Sequence, residues 1–260
     1  MKYIITTLAA LAFCGGIFVH AADAPAYKPE AGSKTETSKK VNWAFKPDPA
    51  LPNVLILGDS ISIGYTLKVR ELLKGKANVF RPVSTNGKTA VNCQGTTFSL
   101  TGIDSWLAGR KWSVIHFNWG LHDLKHVTEA GTGTKSRQAT DPYQATVEEY
   151  SRNLETLVGK LKATGAQLIF ATTTPVPPDA SGPLREVDAP ARYNAAAVKI
   201  MKAHGIAVND LFTLVQPQLE KLQSPRNVHF KPKGSAALAQ QVAAAIEAAL
   251  RMPGGKPNEK

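Results

Sequence analysis

The chain of 260 residues carries 31 Lys and Arg against 20 Asp and Glu, a formal net charge of +11, with 43% hydrophobic and 20% charged residues. This balance excludes a fibrous or wholly disordered chain and leaves room for one substantial α/β domain or two small ones. The basic residues are scattered and not interleaved with aromatics, so charge alone makes no case for nucleic-acid binding and a solvated basic surface is the default.

The first residues read as an export signal. Met1-Lys2 supplies positive charge, residues 3–19 are apolar apart from two Thr, and small residues offer cleavage at Val19-His20-Ala21 or Ala22-Asp23-Ala24. No other stretch is long and apolar enough to span a bilayer. Removal of residues 1–24 would leave a secreted or periplasmic protein, with no membrane attachment. Leu11-Ala12-Phe13-Cys14 is a rival, a lipobox-like run in which Cys14 would be lipidated, but Phe13 is large where such sites want a small residue. Once Cys14 is gone only Cys93 remains, so no internal disulfide forms. Cys93 has no neighbouring His and no clear helix start to activate it, and is expected to be a small buried residue.

Residues 25–50, rich in Lys, Pro, Thr, Ser and Ala, read as a flexible segment lying against the domain, with Trp43 and Phe45 docking on it. Short apolar runs then alternate with helical patterns. Residues 53–58 predict a buried strand and 61–74 an amphipathic helix. A second strand over 78–83 is shortened by Pro82, and a third covers 113–118. A polar loop leads to a helix over 143–164, whose Val147, Tyr150, Leu154, Leu157, Val158 and Leu161 recur at helical spacing. A fourth strand covers 167–171, a helix 190–203, and a short fifth strand 206–208. Helices over 211–222 and 233–251 close the domain, and 253–260 is a tail. Strands alternating with helices of this length predict a three-layer α/β/α sandwich around a five-stranded parallel sheet, with ligands outside the carboxyl ends of the strands.

Chemistry-bearing residues fall at those ends. Gly58-Asp59-Ser60-Ile61 places a Ser where the first strand turns into a helix, with its hydroxyl over the sheet edge and its N–H at a helix start. A purely structural Ser60, as a helix cap, is an equally ordinary reading of that turn alone. His229 lies in the loop before the last helix and titrates in the range of a general base.

Four blocks together resemble the SGNH hydrolases, also called GDSL esterases, over roughly residues 53–250. They are Gly58-Asp59-Ser60-Ile61, Asn86-Gly87-Lys88-Thr89, Trp119-Gly120-Leu121-His122-Asp123, and Asn227-Val228-His229-Phe230 followed by Pro232 and Gly234. Thr174-Pro175-Val176-Pro177 is similar to a further loop of these enzymes. The resemblance implies a serine esterase that needs no cofactor or metal. Ser60 would be the nucleophile and His229 its base, with the Ser60 and Gly87 N–H groups and a side-chain donor holding the oxyanion.

Two positions depart from the family pattern. His122 stands where the family has its oxyanion Asn; an imidazole N–H donates a hydrogen bond but titrates. Asn118 is the alternative donor. Arg226 stands where the family has an Asp three residues before the His, so a main-chain carbonyl or an acid from elsewhere must meet the imidazole. Asp123 and Asp210 have the chemistry, although both residues more often hold loops. Asp59, Asn118 and Asp123 are the expected supports of the site.

Two other classes compete. His122-Asp123-Leu124-Lys125-His126 mimics a zinc-protease motif, which must lie within a helix for both imidazoles to face one metal. The two departures would also suit a domain that binds polysaccharide without cleaving it. Export together with the resemblance implies short acyl groups on extracellular carbohydrate, acetyl above all, as substrate, with short-chain esters of other alcohols and lysophospholipids left open. The small polar loop 128–141 would form a rim and lacks the apolar stretch of a lipase lid, and Trp119 and Tyr193 are either core residues or sugar platforms.

Overall fold

The computed structural model describes residues 43–252; the expected export signal, Cys14, most of the expected N-terminal segment and the expected C-terminal tail lie outside them. Five strands, β1 (Asn53–Leu57), β2 (Asn78–Phe80), β3 (Val114–Phe117), β4 (Gln167–Ala171) and β5 (Ala207–Asn209), form one parallel sheet in the order β2-β1-β3-β4-β5. β1 after Asn53, β3 and the carboxyl half of β4 (169–171) are continuously buried and, His116 apart, apolar, as expected of strands covered on both faces.

Helices α1 (Ser60–Leu72) and α7 (Pro232–Leu250) pack together, and α2 (Thr96–Leu107), α3 (Val147–Lys162) and α4 (Ala189–Ala203) pack in a row. Right-handed crossovers put these two groups on opposite faces of the sheet. The chain order reverses between β1 and β3, so a crevice opens beyond their carboxyl ends.

The expected elements are present, with adjustments that have local causes. The long helix starts at Val147, not 143, because Thr146 closes a capping box with Glu149 and Tyr143 is held in a bridge to His126. The helix expected over 211–222 is broken by Pro217 into α5 (Leu211–Val215), a 3-10 turn (Gln216–Gln218) and α6 (Leu219–Leu222). Helix α2 was not expected at all. Only Thr96, Ser99 and Ile103 are buried along it, so its sequence lacks a strong apolar stripe.

Trp43 is buried, and Phe45 packs on Phe80 at 4.8 Å with the Arg70 guanidinium 4.2 Å above its ring. Trp119 and Tyr193 are core residues and not sugar platforms. Trp119 is fully buried, and the Tyr193 hydroxyl donates to the Ala145 carbonyl at 2.6 Å. Cys93 is buried beneath the first turn, its N–H donating to the Gly58 carbonyl at 3.2 Å, and burial pushes its thiol up to about 11.

Candidate active site

The turn after β1 is built for close approach. Gly58 has φ +152, and a Cβ there would meet Ser62 Oγ at 3.0 Å and the Asn118 carbonyl at 3.2 Å. Asp59 caps α1, its carboxylate accepting the Ile61 N–H at 2.9 Å. Burial raises its pKa, against the pull of that N–H and of His229, Arg185 and Arg81. Ser60 is therefore the first residue of α1, and its N–H is among those a helix leaves unpaired.

A residue that the sequence did not single out holds this turn. Arg81, buried, donates to the carbonyls of Gly58 and Val91 at 3.0 and 2.9 Å and to the hydroxyls of Ser62 and Thr66 at 3.0 and 3.1 Å. No periodicity marks such a residue, because its partners are mostly carbonyls and hydroxyls that any residue or any Ser or Thr can supply.

His229 comes from the loop before α7. Its Nε2 lies 2.8 Å from Ser60 Oγ, across 169 residues of chain. Its Nδ1 lies 2.7 Å from Asn227 Oδ1. The residue is exposed at the surface, yet packing around the ring holds its pKa below the ordinary value; Asp59 opposes that shift and Arg185 adds to it.

The expected acids are elsewhere engaged. Asp123 is fully buried and accepts the Thr96 N–H at 2.7 Å and the Thr96 hydroxyl at 2.5 Å, so it anchors the start of α2. Asp210 caps α5 through Thr213 and accepts the Thr172 hydroxyl at 2.9 Å. Neither bonds to His229. Asn227, one residue after the family's acid position, occupies that place. Residue spacing does not reveal this shift, because it depends on Arg226 adopting φ +54.

The expected oxyanion donors divide. Gly87 does not fit the role: its N–H donates to the Ser84 carbonyl at 2.7 Å, within a turn closed by the Ser84–Thr89 bond and the Val83–Ala90 bridge. Asn118 is also committed, its amide nitrogen donating to the Ala171 carbonyl at 2.7 Å and to Thr173 Oγ1 at 3.3 Å, which ties β3 to β4.

Gly95, which caps α2 at φ −94 and ψ −178, has an N–H with no acceptor among the described residues. It stands against Asp123, next in sequence to His122, and two residues after Cys93, which bonds the Ser60 turn. The missed signal was Gly95-Thr96-Thr97 ahead of a helix.

His122 follows Gly120, where a Cβ would fall 2.0 Å from Thr173 Oγ1. Its Nδ1 is buried and has no hydrogen-bond partner among the described residues. Burial first, then Lys125, Arg185, Lys135 and His229, keep its pKa well below the usual imidazole value. The ring is a neutral imidazole that retains one N–H to donate.

Residues 122–126 do not form the helix that a zinc motif requires. His126 turns into the rim, its Nδ1 meeting the Asp141 carbonyl at 2.6 Å and its Nε2 facing Glu186 at 3.4 Å. The rim loop is a small hairpin, bridged at Val127–Lys135 and tied to the loop after β4 by bonds between His126 and Leu184 and between Leu184 and Ser136. Arg185, from that loop, donates to the Leu121 carbonyl at 2.7 Å.

No curated protein matches the chain in sequence. Solved structures share its fold. A lipase/acylhydrolase from Enterococcus faecalis has a TM-score of 0.59 at 16% identity, covering 76% of this chain and 96% of that one. An acetyl xylan esterase has a TM-score of 0.58 at 13% identity, with 74% and 98% covered. A mutant of an acetyl-xylooligosaccharide esterase from Geobacillus has a TM-score of 0.55 at 14% identity, with 74% and 93% covered. The model of the GDSL-like lipase/acylhydrolase family matches residues 56–237, well over half of the chain. With a Ser–His pair set at the carboxyl edge of its parallel sheet, the chain belongs to the GDSL-like lipase/acylhydrolase family.

Proposed function

We propose that the protein is an exported serine esterase that removes short acyl groups, acetyl above all, from carbohydrate. The observation that carries the reading is the 2.8 Å approach of His229 Nε2 to Ser60 Oγ at the topological switch point. A hydroxyl so placed is activated as a nucleophile by the adjacent base.

Ser60 Oγ bonds to the ester carbonyl carbon while its proton passes to His229 Nε2, and the carbonyl π pair moves onto oxygen. The oxyanion is held by the Ser60 N–H at the head of α1, the Gly95 N–H at the head of α2, and the neutral His122 ring. As the tetrahedral species collapses, the C–O bond to the alcohol breaks and His229 returns the proton to the leaving oxygen. Water then repeats the sequence on the acyl-enzyme, releasing the acid and restoring Ser60.

The choice of acyl group and alcohol rests on softer support. Acetyl xylan and acetyl-xylooligosaccharide esterases are among the structures that share the fold. The rim is polar where a lipase lid would be apolar, and the leader reads as an export signal. Hydrolysis of p-nitrophenyl acetate, followed by acetate release from acetylated xylan and pectin, tests both levels. Activity that survives Ser60→Ala overturns the mechanism. Activity on the small ester alone overturns the carbohydrate assignment.

A further inference from the structure

Asn227 Oδ1 is shared between two groups of His229. It accepts the backbone N–H at 3.0 Å and lies 2.7 Å from the ring Nδ1. A backbone N–H can only donate, so the amide atom facing it is the oxygen, and the ring nitrogen on that same oxygen must carry a proton. The tautomer follows: Nδ1 is protonated, and the bare Nε2 points at the Ser60 hydroxyl 2.8 Å away.

The loop is braced to hold this arrangement. Asn227 N–H donates to the Ser224 carbonyl at 3.2 Å, and Ser224 N–H to the His229 carbonyl at 2.9 Å. The Arg226 carbonyl accepts the Ser181 N–H at 2.7 Å and its hydroxyl at 3.0 Å. With Arg226 at φ +54, the next side chain, not its own, faces the ring. No carboxylate bonds to His229 among the described residues.

We propose that Asn227 is the positioning residue of the pair, fixing the orientation and tautomer of His229 with a neutral amide where a carboxylate would add charge. The proposal rests on the esterase reading of Ser60 and His229. Its consequence is electrostatic, because the imidazolium formed during the reaction has no bonded anion. The charged and titratable groups facing the ring are Asp59 from the head of α1, Arg185 from the loop after β4 and His122 from the loop after β3. On its own loop, Lys231 is turned to the Glu220 carbonyl and Arg226 to the Asp179 carbonyl. The acid limb of kcat/KM therefore lies lower than a carboxylate partner would set it.

Asn227→Asp keeps both acceptor contacts and adds one charge. In the Ser60→Ala background, where turnover plays no part, the His229 resonance assigned by its loss in His229→Ala should titrate about 1–3 pH units higher after Asn227→Asp. In the otherwise unaltered enzyme the acid limb should move up in the same direction. Asn227→Ala should lower kcat by about tenfold, the scale of one lost hydrogen bond, and Asn227→Asp should restore it above the acid limb. An unmoved His229 titration in Asn227→Asp, or an unchanged kcat in Asn227→Ala, overturns the proposal. Hydrolysis surviving Ser60→Ala instead overturns the esterase reading, and the titration still reports on the Asn227 contact.

Discussion

The Asp123 carboxylate lies against Gly95 so closely that a Cβ on the glycine would come within 2.9 Å of both carboxylate oxygens. Asp123 also holds the next residue, Thr96, by its N–H and hydroxyl. One buried acid thus sets the position of an N–H at the head of α2 and leaves no room for a side chain beside it.

Gly95→Ala should therefore displace that N–H and lower kcat/KM by about 100–1000-fold, the usual cost of one oxyanion donor. Gly87→Ala serves as its contrast. At φ +69 an Ala is strained by about 1–2 kcal/mol, so a thermal or urea melt should register the change while turnover stays near the parent value. A large loss of kcat/KM in Gly87→Ala with Gly95→Ala active would return the donor role to Gly87.

Ser60→Ala should abolish ester hydrolysis and His229→Ala should lower kcat by about 10,000-fold or more, with melting curves close to the parent because Ser60 is only half-buried and His229 is exposed. The decisive reading is a burst of alcohol before steady turnover on p-nitrophenyl acetate. It is expected in the parent if deacylation is the slower step, and absent in both variants.

His122→Ala should cost about 100–1000-fold in kcat, and His122→Asn, which supplies an amide N–H, should recover part of that loss. Because burial and the surrounding Lys125, Arg185 and Lys135 keep His122 neutral, no second ionisation from this ring should appear in the pH profile between about pH 5 and 8. Full turnover in His122→Ala would take the ring out of the oxyanion site.

The contribution of Asp123 to stability should fall as pH rises from about 4 to 7, opposite in sign to that of His116 and His122, whose burial lowers their pKa. Burial raises the folded pKa of Asp123 to about 7 from its ordinary 3.8, against the hydrogen bonds of Thr96. Between those two values the folded chain holds a proton that the unfolded chain has released, so deprotonation favours unfolding. Burial raises Asp59 in the same direction. Asn at position 123 keeps an oxygen for Thr96 but does not titrate, so the urea midpoint of the parent relative to that of Asp123→Asn should fall across this window. An equal slope in parent and variant would place the effect on other groups.

Much of the framework was legible along the chain. Runs such as Val54-Leu55-Ile56-Leu57 and Leu168-Ile169-Phe170-Ala171, spaced by helical patterns, imply a buried parallel sheet. A Ser at the end of the first strand and a His before the last helix then fall at one edge by topology. Helix α2 was not legible, because its buried positions are Thr, Ser and one Ile, and with it went the unbonded N–H of Gly95.

Local chemistry thus determined which residue types stand at the ends of the strands: a hydroxyl, an imidazole and a second ring in place of an amide. Only the tertiary structure decided which of their neighbours complete the site. Whether Gly87 or Gly95 offers a free N–H depends on a turn that bonds one and a helix start that spares the other. Whether position 226 or 227 meets the imidazole depends on one left-handed residue. Such choices are made by backbone angles and by competition for hydrogen-bond partners far apart in the chain, and residue spacing carries no record of either.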